Sequence, residues 1–169
     1  MNRPLILLDV DGVLNPFRRP GEDWQHHNLT CDGMAFDLWL NPAHGPKLLE
    51  LAETTGAELT WATTWEHDAN RAVGPILGLP ELPVIEVTKT KTLTPPGCCR
   101  KTPAVAEHVA GRPFIWFDDD LSRHDRLWLN QHPNVNRFRL IHIGASTGIK
   151  DAHFRQATDW LATLGEASP

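Results

Sequence analysis

The sequence predicts an α/β domain in three layers, a five-stranded parallel sheet with helices on both faces. Three observations carry this expectation. Apolar runs of strand length alternate with segments of helical periodicity along most of the chain, the order that builds a parallel sheet. Residues 4–10 form an apolar run broken only by Asp9, as in a strand covered on both faces. Finally, 169 residues with 41% hydrophobic and 22% charged side chains match one ordinary folded unit with a single core. With no repeat, low-complexity segment or linker, residues 1–169 are expected to be one domain.

Taken in order, residues 4–10 are the first strand, ending in Asp-Gly. Residues 15–39 mix Pro16, Arg18, Arg19, Pro20, Gly21, His26 and His27 with little periodicity. This stretch is long for a plain connection, so a flap is expected at about 15–41 in place of a large cap domain. Asn41-Pro42 and Gly45-Pro46 offer helix starts, Leu48, Leu49, Leu51 and Ala52 an apolar stripe, and Gly56 a C-terminal cap. Residues 59–63 read as the second strand, 66–77 as a short helix, and 83–88 as the third strand. Residues 89–100, with Pro95, Pro96 and Gly97, read as a loop. Thr102-Pro103 suits the N-cap and first position of a helix running to Gly111, and 113–117 is the fourth strand. Ser122 with Asp125 resembles a capping box that opens a helix to about Gln131. Residues 137–143 alternate as a fifth strand, and Phe154, Ala157, Leu161 and Leu164 share one face of a last helix.

Sixteen basic against twenty-one acidic side chains give a net charge of -5. That sign disfavours binding nucleic acid over the whole surface, though it permits a local basic patch. No apolar run approaches the roughly 18 residues of a membrane span, and the N-terminus lacks a secretory pattern. A cytoplasmic protein with no membrane association and no obligate protein partner is expected. Three cysteines, two of them adjacent at Cys98 and Cys99, form neither a disulfide framework nor a zinc ligand set. Nine histidines show no HExxH or paired ligand spacing.

The chemistry is concentrated at strand ends. Asp9 and Asp11 are two apart where the first strand finishes, and the period of two in extended chain puts both on one side. Two carboxylates about 4 Å apart repel by about 4 kcal/mol at an effective dielectric of about 20, so a cation or a shared proton is expected. The fourth strand runs into Asp118, Asp119 and Asp120. Parallel sheets bind ligands at the carboxyl ends of strands where the strand order reverses. Asp9 and Asp118 placed there would share a hard divalent cation such as magnesium. The second strand ends in Thr63 and Thr64, which offer hydroxyls and N–H groups, and Lys101 stands before the helix that precedes the fourth strand. Each has a plainer reading: an Asp-Gly turn, a hydroxyl cap, a solvated lysine, an acidic first helical turn.

Together these residues resemble the haloacid dehalogenase (HAD) superfamily of phosphohydrolases and phosphotransferases, of the small-cap type. The first motif, DxDGxx, is matched by Asp9 to Leu14. The second, a Ser or Thr closing a strand, is matched by Thr63. The third, a Lys near a helix start, is matched best by Lys101, with Lys89 and Lys91 as alternatives. The fourth, an acidic pair, is matched by Asp118 and Asp119, with Asp120 as the alternative to Asp119. Trp61-Ala62-Thr63-Thr64-Trp65-Glu66 and Trp116-Phe117-Asp118-Asp119 are similar to the branch associated with nucleic-acid repair.

The resemblance implies a Rossmann-like fold and a magnesium-dependent phosphatase that forms an aspartyl-phosphate on Asp9. Asp11 would act as acid and then base. Asp9, Asp118, Asp119 and the backbone carbonyl of Asp11 would hold the metal, and Thr63, Thr64 and Lys101 the phosphoryl group. Dehalogenation is less expected, because Asp11 is present. The substrate would be a phosphorylated small molecule or a nucleic-acid end, with Trp24, Trp65, Arg18 and Arg19 either contacting it or packing in the core and flap.

Two other classes compete. Gly144-Ala145-Ser146-Thr147-Gly148 has the GxSxG pattern of a serine esterase nucleophile, but its acid and histidine would have to come from Asp151, His153 and Asp159, all in the last helix region. A catalytically silent phosphate-binding module would be indicated by loss of Asp9 or Asp11, and both are present.

Overall fold

The computed structural model describes residues 3–31 and 33–165. The chain opens with strand β1, Leu5–Leu8, followed by β2, Gln25–Cys31, and β3, Met34–Leu40. Helix α1, His44–Thr55, leads to β4, Glu58–Trp61. A wide helical turn, Ala69–Val73, runs into the short α2, Gly74–Leu77. Then come α3, Thr102–Val109; β5, Phe114–Asp118; α4, Arg123–Leu129; β6, Phe138–His142; and α5, Asp151–Gly165.

The main sheet is parallel, in the order β4-β1-β5-β6. All four β1 residues are buried because both faces of the sheet are covered. Ile6 and Leu8 enter one cluster with Leu48 and Leu51 of α1 and Phe154 and Leu161 of α5. Leu5 and Leu7 enter the other with Val105 and Val109 of α3 and Leu129 of α4. Each such side chain contributes about 1.5–3 kcal/mol by leaving water, and the alternation is what makes three layers. The direction of strand addition reverses between β1 and β5, so the crevice at the carboxyl ends of these two strands is where a ligand is expected.

The expected third strand, 83–88, is not a strand. It makes one parallel bridge, Trp61 to Val84, through the Trp61 N–H on Pro83 O (2.8 Å) and the Ile85 N–H on Trp61 O (2.9 Å). Pro83 has no N–H to give a ladder, and Thr88 donates its N–H to the Glu66 carboxylate (2.7 Å) as the chain turns into a short 3-10 segment, Val87–Lys89. The parallel sheet therefore has four strands.

The aperiodic stretch expected at 15–39 contains ordered structure, since β2 and β3 pair antiparallel from Gln25 with Leu40 to Cys31 with Met34. Leu38 and Leu40 are buried, while Asp37 faces out and accepts from Asn28 (3.0 Å). Alternation in Phe36-Asp37-Leu38-Trp39-Leu40 and the Asp-Gly pair at 32–33 are the sequence signals for this hairpin.

Trp24 is also core: its ring meets His44 edge-on (5.0 Å) and lies where a Cβ on Gly148 would be. His44, at the start of α1, is buried between Trp24 and Phe154, and its Nδ1 has no hydrogen-bond partner. Burial, aided by the Lys47 charge and opposed by Asp151, pulls its pKa down to about 4. The folded state thus holds His44 neutral while the unfolded chain takes up a proton near pH 6.5. Stability from this group is full above pH 6.5 and falls as the pH drops towards 4, by on the order of 2–3 kcal/mol at pH 4.5. Urea titrations should show that His44→Leu flattens the stability profile between pH 6.5 and 4.5 by this amount; an unchanged profile would exclude a neutral buried histidine.

Candidate active site

Beyond Leu8 the chain keeps one more ladder contact, Asp9 N–H to Phe117 O (3.1 Å), and then turns sharply. The Val10 carbonyl accepts N–H groups from Val13, Leu14 and Asn15 at 3.2, 2.9 and 2.8 Å. Strand alternation therefore does not govern the Asp9 and Asp11 pair, and the two carboxylates find different partners.

Asp9 faces β5 and α3. Its Oδ1 accepts from the Val10 N–H (2.8 Å), and its Oδ2 takes a short hydrogen bond from Lys101 Nζ. The same ammonium lies 2.6 Å from Asp118 Oδ2. Asp9, Asp118 and Lys101 are all buried, so one buried cation bridges two buried anions. Asp118 also accepts the Asp120 N–H through Oδ1 (2.9 Å). Asp119 reaches across Gly12, whose φ is +74°; a Cβ there would stand 2.3 Å from Asp119 Cγ. Glycine is needed at position 12 both for the left-handed backbone and for the space. Oxygens of Asp9, Asp118 and Asp119 all lie within 4.8 Å of one another. Thr63, fully buried at the end of β4, sets its hydroxyl beside the Asp9 carboxyl and accepts the Trp65 N–H (3.3 Å).

The electrostatics of this group are unbalanced towards negative charge. Burial raises the Asp9 pKa against the pull of Lys101. Burial and then the Asp9 charge push Asp118 up to about 7, and burial raises Asp119. Burial pulls Lys101 down, but Asp9 and Asp118 outweigh it and the ammonium is held charged. Asp118 Oδ2 is buried without an aligned hydrogen-bond donor even though Lys101 is near. Three hard oxygen donors, one with a lone pair unused, fit a divalent cation of the magnesium kind.

Of the residues expected at the site, Asp9, Thr63, Lys101, Asp118 and Asp119 come together. Thr64 is exposed and Asp120 lies on the surface. Lys89 pairs with Glu86 at the surface (2.6 Å) and Lys91 is exposed, so Lys101 is the lysine that meets the acids. The Asp11 side chain is outside the acidic cluster: its Oδ1 accepts from Asn15 Nδ2 (2.8 Å) and its Oδ2 from Trp65 Nε1 (2.7 Å). Sequence reasoning missed Asn15 and saw Trp65 only as a stacking or packing residue. Arg19 lies over the Trp39 ring (5.5 Å) and donates to the carbonyls of Gly21 and Glu22, a local packing role.

The position of Lys101 depends on α3, which begins differently from expectation. Lys101, and not Thr102, occupies the N-cap, and the Thr102 hydroxyl donates to Asp125 Oδ1 (2.5 Å). Asp125 is fully buried and also accepts the N–H groups of Cys99 (2.8 Å) and Ser122 (2.7 Å). The Ser122 and Asp125 capping box is formed as the sequence predicts, and it also ties down the loop that delivers Lys101. Ser146 is exposed in a turn closed by the Thr147 N–H on Gly144 O (2.8 Å), and His153 accepts the Lys150 N–H through Nδ1 (3.0 Å). Among the described residues no hydrogen bond joins Ser146 to a histidine.

Among the described residues no helix is long and apolar enough to cross a membrane. Residues 5–154 match the family model described as the HAD domain in Swiss Army Knife RNA repair proteins. No curated protein matches the chain. The match spans every residue of the acidic cluster, Thr63 and Lys101, and it covers most of the chain. The HAD superfamily consists mainly of hydrolases, most of them phosphatases, and this chain belongs to it, in the branch that serves RNA repair proteins.

Proposed function

We propose that the protein is a magnesium-dependent phosphomonoesterase that removes a phosphate from a nucleic-acid end through an aspartyl-phosphate on Asp9. The observation that carries this reading is the convergence of Asp9, Asp118 and Lys101 where the strand order reverses, with Asp119 and Thr63 beside them. In the first step an Asp9 carboxylate oxygen attacks phosphorus, forming a P–O bond as the bond to the leaving oxygen breaks. Asp11 gives its proton to that oxygen. In the second step Asp11 takes a proton from water, the water oxygen attacks phosphorus, and the bond to Asp9 breaks to free phosphate. Lys101 and Thr63 hold the phosphoryl oxygens, with the Thr64 hydroxyl at the rim. Asp9, Asp118, Asp119 and the Asp11 carbonyl would hold magnesium, which when bound neutralises charge between carboxylates and phosphate.

The hairpin Gln25–Leu40 serves as a flap within a single domain, and no large cap is needed over the site. An open rim suits the end of a polymer, and the description of the matched family supports RNA as that polymer. Phosphate release should be measured from 4-nitrophenyl phosphate and from 5′- and 3′-phosphorylated oligoribonucleotides, with magnesium and with chelator. Release that needs the metal is expected with at least one oligonucleotide. No release from any substrate would favour a silent phosphate-binding module.

A further inference from the structure

We propose that Trp65 and Asn15 are positioning residues that aim the Asp11 carboxyl, and that the hairpin strand β3 holds both in place. The inference rests on the reading of Asp11 as the acid that protonates the leaving oxygen.

Asp11 sits on a sharp turn and is partly exposed. Both of its oxygens are nonetheless engaged, one from within the turn and one from the segment that follows β4. Asn15 Nδ2 donates to Oδ1 at 2.8 Å and Trp65 Nε1 to Oδ2 at 2.7 Å. Two N–H donors on opposite oxygens define the plane of a carboxyl group and so the direction in which it can pass a proton.

Each donor is itself restrained, and by the same strand. The Asn15 side-chain oxygen accepts the backbone N–H of Trp39 (2.9 Å), and Asn15 is buried. The Trp65 ring packs on Phe36, with ring centroids 4.6 Å apart. Phe36 and Trp39 both belong to β3. Trp65 is tied by its own N–H to the Thr63 hydroxyl (3.3 Å), so the group beside Asp9 and the orientation of Asp11 are linked through one residue. The Trp65 indole is only half-buried, and it gives its N–H to the Asp11 carboxylate. An Asn used only to close the turn would do so through its backbone, which already bonds to Val10 and Gly12.

The step at issue is the first one: the bond from phosphorus to the leaving oxygen breaks, and the proton of Asp11 goes to that oxygen. Its importance depends on the leaving group. A nitrophenolate departs with little help, whereas the alkoxide of a ribose needs the proton. kcat/KM is the right quantity, because it reports the first phosphoryl transfer without the later hydrolysis.

The experiment compares wild type, Trp65→Phe, Phe36→Ala and Asp11→Asn on 4-nitrophenyl phosphate and a phosphorylated oligoribonucleotide, with thermal melts alongside. Trp65→Phe keeps an aromatic ring beside Phe36 and removes the donor. We expect its kcat/KM on the oligonucleotide to fall about 10- to 100-fold, as for loss of a hydrogen bond to a charged group. The fall in kcat/KM on 4-nitrophenyl phosphate should be under about threefold. Phe36→Ala should show the same selectivity. In the Asp11→Asn background Trp65→Phe should add nothing. Equal losses on both substrates, or none, in Trp65→Phe while Asp11→Asn stays selective would overturn the positioning role and leave Asp11 as the acid. Absence of selectivity in Asp11→Asn would overturn the assignment of Asp11 and this inference with it.

Discussion

Asp9→Asn is expected to abolish phosphate release, lowering kcat by roughly three orders of magnitude or more, because an amide cannot form the acyl phosphate. The fold should persist. Asparagine still offers an oxygen to the Val10 N–H, and loss of the Asp9 charge relieves the repulsion that helps hold the Asp118 pKa high. A melting temperature within a few degrees of wild type is expected. Acid quench of the wild type during turnover should trap phosphate on the protein in a hydroxylamine-labile form, and the variant should trap none. Appreciable turnover in the variant would remove Asp9 as the nucleophile.

Lys101→Met is expected to have the largest effect on stability. It leaves Asp9 and Asp118 facing each other in the interior with no cation between them, a defect of about 3–5 kcal/mol. For a domain of this size that is on the order of 10 °C in melting temperature. Asp118 is already raised by burial and by Asp9, so its native form binds protons more readily than its unfolded form. A raised carboxyl of this kind loses stability as the pH rises from its unfolded value through about 7, and the Lys101→Met deficit should accordingly shrink towards pH 5. Millimolar magnesium should recover part of the loss and should shift the variant more than the wild type, since the ion supplies the missing charge. A melting curve of the variant that ignores magnesium would show that these carboxylates do not hold it.

Much of this organisation is written in local sequence. The buried run before Asp9 fixes β1, the Ser122 and Asp125 pair fixes the start of α4, and Gly56 ends α1 in the left-handed conformation at φ 67°. The strand ends that carry Thr63 and Asp118 follow from the same alternation of strand and helix. What the sequence hid was set by contacts distant along the chain. Residues 83–88 have strand composition but lose their ladder because a donor is drawn off by Glu66. The hairpin is polar on its outer face, and its inward Leu38 and Leu40 are too few to stand out against the histidines and prolines around them. Asp11 lies beyond the reach of strand periodicity because the chain has already turned at Val10. Which of three lysines is buried depends on where α3 begins, and that is decided by an acid more than twenty residues later.

That acid, Asp125, has a consequence for how the chain tolerates change. In an isolated capping box glutamate serves at the third position as well as aspartate does. Here the carboxyl must also reach the Cys99 N–H and the Thr102 hydroxyl with no room to move, being fully buried. The longer side chain satisfies the helix and displaces the loop that carries Lys101. A survey of substitutions scored by turnover would therefore mark Asp125 beside Asp9 and Asp118, although it touches neither phosphate nor metal in the proposed reaction. The same survey scored by helix content would pass over it.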